Sequence, residues 1–132
     1  MGDFRNLKVW QEAKDIAIQI YRLTNKDKFI KDFSLKDQLR RAAVSIASNI
    51  AEGDERLTNK EAIRFFYIAN GSIAEVITQL SIAFEIGYIE KAEYEELIIR
   101  LENLSKMIKT LINYRTQNPV PITLNQIKEK NN

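Results

Sequence analysis

Apolar residues recur at alternating spacings of four and three along four long segments of this chain, and this periodicity restricts the fold more than any other feature. In the third segment it continues for three heptads, through Ala62, Phe66, Ala69, Ile73, Val76, Leu80 and Ala83. Such a spacing places the apolar side chains on one side of an α-helix. The chain of 132 residues contains only four glycines and two prolines, which favours long uninterrupted helices over a turn-rich β architecture.

Polar residues that commonly begin helices precede these segments. Asn6 and Ser34 stand where an N-cap is expected, and Thr58 with Glu61 has the spacing of a capping box. These signals predict four helices within a single domain that covers residues 1–117. The predicted helices cover about residues 7–24, 34–53, 59–86 and 91–117.

Glycines and prolines mark the expected helix ends. Gly53 and Gly87 are placed to take the left-handed conformation that often closes a helix. Pro119 and Pro121 stop the fourth helix, and we expect residues 118–132 to form a polar, mobile tail. Four helices joined by short polar loops predict an all-α fold, an antiparallel up-down-up-down four-helix bundle.

A file of polar side chains follows one side of the second helix. Arg41, Ser45 and Asn49 are four residues apart, and Glu52 lies beside them. In the antiparallel arrangement we expect Arg41 to meet Glu75 of the third helix. We interpret this file as a buried polar network that sets the register of the two helices, because a buried amide without partners is costly. The alternative is a small-ligand or catalytic site built from the charged and amide members of the same file.

The composition argues against most enzyme classes. The chain has no cysteine and no histidine. Their absence removes thiol nucleophiles, zinc sites of the usual kind and the commonest general base. We therefore predict no catalytic residues, no metal site and no cofactor.

A second set of apolar residues lies outside the main seam of the third helix. One interpretation is a thick core stripe, and the other is an interface between copies of the chain. The set consists of Ile63, Phe65, Ile68, Ile82, Phe84 and Ile86.

The net charge of +2, from 20 basic and 18 acidic side chains, is too small to attract a nucleic acid or a membrane surface to the protein as a whole. The end of the fourth helix and the tail are locally basic, which suits contact with RNA or DNA phosphates. Alternatively, these positive charges only interact favourably with the negative end of the helix dipole in solvent. The basic residues are Lys106, Lys109, Arg115, Lys128 and Lys130. No apolar run approaches membrane-spanning length and the N-terminal residues lack the apolar core of a signal peptide, so we expect a cytoplasmic protein with no membrane partner.

Four stretches of the sequence carry a resemblance to a known family. These are FRNLKVWQEAKDIAIQIY, LKDQLRRAAVSIASNIAEGDER, NKEAIRFFYIANGSIAEVITQL and EIGYIEKAEYEEL. Together they resemble the bacterial four-helix-bundle proteins named for intervening sequences in 23S ribosomal RNA genes, over residues 4 to about 117. They are also similar to the accessory variability determinant of diversity-generating retroelements. The residues specific to the family are Arg41, Ser45, Asn49, Ala51, Glu52, Gly53, Gly71, Ser72 and Glu75.

This resemblance implies a homo-oligomeric bundle, with rings of five copies in relatives, and no enzymatic activity. For the retroelement branch it implies binding of a nucleic acid and of a protein partner, a reverse transcriptase. The sequence therefore predicts a non-enzymatic oligomeric interaction or scaffold protein that contacts structured RNA. The second hypothesis is a nucleic-acid-binding accessory protein that uses the basic end of the fourth helix. The third is the ligand or enzyme site at the polar file.

Overall fold

A computed structural model of the protein describes residues 3–118. Within this part the chain is helical and contains no strand, so the predicted all-α fold is confirmed. The four long helices are α1 (Lys8–Leu23), α2 (Phe33–Asp54), α3 (Asn59–Glu85) and α4 (Lys91–Gln117), and two 3-10 turns lie at Phe4–Asn6 and Phe29–Lys31.

The helices form an antiparallel bundle in which each helix packs on two neighbours. The contacts run α1 to α2, α2 to α3, α3 to α4 and α4 back to α1, and α2 lies closest to α3. The apolar seams converge on a core in which Ile16, Ile46, Phe66 and Leu101 are completely buried. Burying an apolar side chain of this size stabilises a fold by about 1.5–3 kcal/mol. None of the helices in the described part is long and apolar enough to cross a membrane.

Two predicted N-cap residues are wrong, although both helices begin within one residue of the predicted position. Asn6 lies inside the first 3-10 turn, which Asp3 caps, and α1 begins after Leu7 without a side-chain cap. Ser34 lies within α2, whose N-cap is Asp32. The Asp32 carboxylate accepts a hydrogen bond from the Leu35 amide at 3.1 Å, because an aspartate satisfies a free N–H at a helix start as well as a serine does. The predicted cap at Thr58 is confirmed, since its hydroxyl accepts from the Glu61 amide at 3.3 Å.

The two glycines predicted to end helices behave differently. Gly87 has φ +84°, and the following amide of Tyr88 donates to the Ala83 carbonyl at 2.8 Å, as predicted for a left-handed closure. Gly53 does not take this role, because α2 continues to Asp54 and Gly53 is buried inside it. A Cβ atom at position 53 would lie 2.6 Å from the Phe66 ring, so glycine is needed here for close helix contact.

A polar contact joins the loop after α3 to the start of α2. The Tyr88 hydroxyl donates to the Asp32 carboxylate at 2.9 Å, and this bond raises the pKa of Tyr88. The Tyr88 ring also packs on buried Phe29, with ring centroids 5.2 Å apart. The opposite end of the bundle, where α2 and α4 finish and α1 and α3 begin, is called the Asp54 end below.

Candidate functional site

The central members of the predicted polar file meet between α2 and α3. The hydroxyls of Ser45 and Ser72 lie 2.9 Å apart. The Asn49 amide donates to the Ser45 carbonyl at 2.8 Å and to the Ser45 hydroxyl at 2.9 Å. Ser72 is buried, while Ser45 and Asn49 are half-buried. These three residues form a short polar link across the closest helix contact of the bundle.

The charged members of the file lie outside this link. Arg41 is exposed and its guanidinium pairs with Asp37 on the same helix at 3.0 Å, not with Glu75 as predicted. Glu52 is also exposed and pairs with Arg56 at 2.9 Å. Exposed pairs of this kind contribute at most about 1 kcal/mol. The file therefore consists of half-buried Ser45 and Asn49, joined to buried Ser72 of α3 and flanked by charges in solvent.

A shallow polar hollow of about 330 Å³ opens beside the link. It does bring Arg41 and Glu75 to the rim of one depression, although they form no ion pair there. The Gln79 side-chain oxygen is buried and accepts no hydrogen bond within residues 3–118. A guanidinium, a carboxylate, amides and hydroxyls can hold a small polar molecule. They are a poor set for nucleophilic or acid–base catalysis.

The predicted basic cluster separates into exposed and buried members. Lys106 and Lys109 are exposed and line a groove of about 320 Å³ between α3 and α4, together with Asn70 and Ser105. Neither lysine belongs to an ion pair among the described residues. Lys128 and Lys130 lie outside the part of the chain that the structure describes.

Arg115 does not belong to an exposed phosphate-binding patch, because its side chain is buried with 7% exposure. Its guanidinium donates to the Asn59 side-chain oxygen at 3.0 Å, and the Asn59 amide donates to the Arg115 carbonyl at 2.8 Å. Burial raises the pKa of the nearby Asp54 carboxyl, and the positive charge of Arg115 opposes this rise. Arg115 thus ties the end of α4 to the start of α3.

The second apolar set on α3 also divides into two groups. Ile68, Ile82 and Ile86 are exposed by 41%, 47% and 51%, and their spacings of fourteen and four residues place them on one outward face. We call these three residues the isoleucine face.

The other three members lie against the bundle. Ile63 packs on the core, and the Phe84 ring stacks on Tyr94 of α4 with centroids 4.5 Å apart. The Arg56 guanidinium lies over the Phe65 ring at 4.6 Å. Half of the residues therefore cover the bundle, as the core interpretation predicts, and the other half face outward.

An apolar groove between α1 and α2 was not predicted from the sequence. It has a volume of about 540 Å³ and is called the α1–α2 groove below. The signal in the sequence is a row of large residues beside the α1 seam that faces alanines of α2. The lining residues are Phe4, Trp10, Lys14, Ala17, Ile18, Tyr21, Arg22, Val44, Ala47, Ser48 and Ala51.

Comparison with known proteins identifies a matching family and several solved structures of similar fold. The family model described as 23S rRNA-intervening sequence protein matches residues 5–110. Among proteins of curated function, no sequence matches this chain significantly.

One similar solved structure is a crystal structure of a protein with unknown function from the S23 ribosomal protein family of Bacteroides thetaiotaomicron. The two chains are 22% identical, and the alignment covers 79% of this chain and 97% of the other with a TM-score of 0.73. At this identity the similarity shows the shared fold alone.

Proposed function

This chain belongs to the 23S rRNA-intervening sequence protein family, and on that premise we propose that it is a non-catalytic bundle that assembles with copies of itself into an interaction scaffold. The observation that carries the proposal is the isoleucine face of α3. The ring of five copies that the sequence resemblance implies is part of this proposal, as is a cytoplasmic location.

The isoleucine face has the properties of a helix–helix interface. Its three side chains span about 27 Å along α3, at 1.5 Å per residue. Gly71 lies on the same side of the helix, and an added Cβ there would meet nothing within 4 Å. A second helix can therefore come close to the α3 backbone at this point. Ile82 and Ile86 lie one turn apart and Ile68 lies about four turns earlier on the same side, and covering these side chains removes apolar surface from water.

A second copy of the same chain is the partner that the charge distribution favours. The net charge of +2 is small, so copies do not repel one another strongly. The isoleucine face carries one exposed carboxylate near its middle, Glu75, for which no ion pair exists among residues 3–118. A neighbouring copy offers many exposed lysines and arginines to this carboxylate.

The absence of catalysis is supported by the residues available for chemistry. The whole sequence has no cysteine or histidine. Residues 3–118 contain no group of acidic side chains placed to hold a metal ion. In the polar file, the Asn49 amide bonds to Ser45 on the same helix and the Ser45 hydroxyl pairs with Ser72 of α3, so these groups are engaged with one another.

Light scattering over a range of protein concentrations tests the proposal. We expect a mass several times the 15.3 kDa of one chain. Ile82→Asp should reduce this mass to that of one chain, because a carboxylate would be buried in the interface. The matched control is Ile99→Asp on α4, where an isoleucine is 59% exposed but lies away from the isoleucine face.

Circular dichroism establishes that both variants keep their helices. A wild-type protein that stays monomeric at high concentration would contradict self-assembly. Equal loss of mass in both variants would show that the isoleucine face is not the interface.

Contact with structured RNA is a second candidate function, which Lys106 and Lys109 support. The two lysines are exposed, lie three residues apart on α4, and share their groove with Asn70 and Ser105. The Ser105 hydroxyl donates to the Asn70 side-chain oxygen at 2.6 Å, which leaves the Asn70 amide to donate to phosphate or ribose. The groove also contains Glu102, which limits the positive potential to its outer part.

Measurement of RNA affinity at several salt concentrations tests this second function. The double variant Lys106→Glu and Lys109→Glu should weaken binding and reduce the salt slope by about 1 for each phosphate that the protein no longer neutralises. Lys31→Glu, at the other end of the bundle, is the control and should leave the slope unchanged. An unaltered slope in the double variant would exclude these two lysines as the RNA-binding residues.

A further inference from the structure

We propose that the isoleucine face of one copy packs on the α1–α2 groove of the next copy, with α3 antiparallel to the neighbour's α2. This inference rests on the self-assembly proposed above and adds which two surfaces meet. Because the two surfaces differ, each copy uses one of them to hold the copy before it and the other to hold the copy after it. Repetition of such a head-to-tail contact produces a ring when the rotation closes.

The groove side of α2 carries a row of residues at a spacing of seven, which are Phe33, Arg40 and Ala47. This spacing places side chains nearly above one another on a helix. Phe33 is exposed by 72%, and Ala47 belongs to the groove floor. Arg40 lies between them, is half-buried, and belongs to no ion pair among residues 3–118. The row therefore offers an aromatic ring, a positive charge and a small residue.

The isoleucine face of α3 has complementary residues at the same spacing, because Ile68, Glu75 and Ile82 are also seven residues apart. When two helices run antiparallel, the first residue of one row lies opposite the last residue of the other. The facing pairs are then Ile68 with Ala47, Glu75 with Arg40, and Ile82 with Phe33. Two of these pairs cover apolar surface, and the third joins opposite charges that have no ion pair within residues 3–118.

The Arg40 guanidinium is held in position for such a contact. Its Nε donates to the Thr24 hydroxyl at 2.8 Å, and a terminal nitrogen donates to the Tyr21 carbonyl at 3.3 Å. The guanidinium also lies over the Tyr21 ring at 4.4 Å. These partners are all neutral, so they fix the side chain without balancing its charge. The Glu75 carboxylate of the next copy would balance it through a charge-assisted hydrogen bond.

The two helices can also approach closely beside this charged pair. Val44, one turn after Arg40, lines the groove and is exposed by 42%. Gly71, about one turn before Glu75, has no side chain, and an added Cβ there meets nothing within 4 Å of the same chain. In the antiparallel register Val44 lies opposite Gly71, so a projecting side chain meets a gap in the facing helix.

This register requires almost no displacement along the bundle axis. Within one copy the Ser45 and Ser72 hydroxyls are 2.9 Å apart, so these two residues are about equally far from the Asp54 end. Glu75 is three residues farther from that end on α3, and Arg40 is five residues farther on α2. At 1.5 Å per residue the two differ in height by about 3 Å, which their long side chains can span. A neighbour related by rotation alone therefore brings Glu75 to Arg40.

The two surfaces lie on neighbouring sides of the bundle, with α2 between them. Glu75 lines a hollow with Arg41 of α2, so the isoleucine face borders α2 on one side. The groove borders α2 on its other side, toward α1. Each contact therefore turns the next copy relative to the last. Turning without displacement along the axis favours a closed ring over a helical filament.

Mixing two variants tests the pairing, because each variant damages a different surface. Val44→Asp places a carboxylate on the groove side of α2, and Ile82→Asp places one on the isoleucine face. By light scattering each variant alone should have the 15.3 kDa mass of one chain. An equimolar mixture should show a twofold greater mass, since the intact face of the first variant fits the intact groove of the second. The matched control is Ile99→Asp, which should keep the wild-type mass.

The outcomes distinguish failure of this inference from failure of the proposed function. If Val44→Asp assembles as the wild type does and Ile82→Asp does not, self-assembly stands and the groove is not part of the interface. A mixture that keeps the mass of one chain would also overturn the pairing. A wild-type protein that is monomeric would overturn self-assembly, and this inference with it. Circular dichroism establishes that all the variants keep their helices.

Disulfide formation gives an independent measurement, because the chain has no cysteine of its own. Val44→Cys combined with Gly71→Cys in one chain should give covalently linked multiples under mild oxidation, detected on a non-reducing gel. Each single variant should give several times less linked product. Linkage of Gly71→Cys alone at the rate of the double variant would show that two isoleucine faces meet each other, which contradicts the head-to-tail contact.

Discussion

The two sides of α2 carry similar small residues, yet one side is closed and the other is open. Toward α3, Gly53 lies against the Phe66 ring and the Ser45 hydroxyl reaches Ser72 at 2.9 Å. Toward α1, Ala47 and Ala51 form the floor of a groove of about 540 Å³.

The difference lies in what the facing helix contributes. The α3 helix offers alanines and a buried serine along the contact, so the two backbones come together and their polar groups pair. The α1 helix offers Trp10, Ile18 and Tyr21, whose side chains stand at the edge and leave the space above the alanines open. Small residues allow two helices to approach, but the partner helix decides whether they do.

The largest expected effect concerns the closed side. Gly53→Ala would place a Cβ atom 2.6 Å from the Phe66 ring and 3.0 Å from the Ala62 carbonyl oxygen. Because Phe66 is completely buried and its ring must shift to admit the new atom, we expect the free energy of unfolding to fall by about 2 kcal/mol. Urea denaturation measures this change.

The control is Gly71→Ala on the outer side of α3, where an added Cβ meets nothing within 4 Å of the same chain, and both variants are measured at a protein concentration low enough to keep the chain monomeric. Alanine is the better helix former, so this variant should gain up to about 1 kcal/mol. Similar gains in both variants would show that the α2–α3 contact is not tight at Gly53.

An intermediate effect is expected from the polar link. Ser72→Ala removes the buried hydroxyl that pairs with Ser45, which should cost about 1 kcal/mol of stability. Glu75→Gln, one turn away and exposed, should change stability by less than about 0.5 kcal/mol. Thermal melting at low protein concentration measures both. A greater destabilisation by Glu75→Gln would place the important polar interaction of this region at the hollow and not at the serine pair.

The smallest effect is expected on the open side. Ser48 is exposed and lines the α1–α2 groove, so Ser48→Leu adds a large side chain where space exists. We expect the free energy of unfolding to change by less than about 0.5 kcal/mol. This effect is smaller than that of Gly53→Ala, although Ser48→Leu adds more atoms. Measured on the monomer, a destabilisation as large as that of Gly53→Ala would mean that the groove is closed by another segment of the chain.

Much of the fold follows from patterns that lie within single helices. The apolar spacing of α3 predicted its buried residues, and the Thr58 capping box predicted its first turn. The cap at Asp32 was missed because Ser34, two residues later, is an equally acceptable cap. The start after Leu7 was missed because Leu7 has no side chain that can cap α1.

The candidate site could be predicted only in part. Asn49 and Ser45 were placed correctly in one polar group, since their separation of four residues is a property of one helix. The partner of Arg41 was wrong because an aspartate one turn earlier on the same helix is a nearer acceptor than any residue of α3. Arg115 was expected in solvent, although its burial depends on Asn59, which lies 56 residues earlier in the chain.

The sequence by itself determined the number of helices, their apolar seams and the absence of thiol and imidazole chemistry, because each of these is local or compositional. The tertiary structure decided which side of α2 is closed, which isoleucines face outward and which basic side chain is buried. These outcomes depend on the rotation and distance of one helix relative to another. Both are set by the combined size and shape of side chains that are far apart in the sequence.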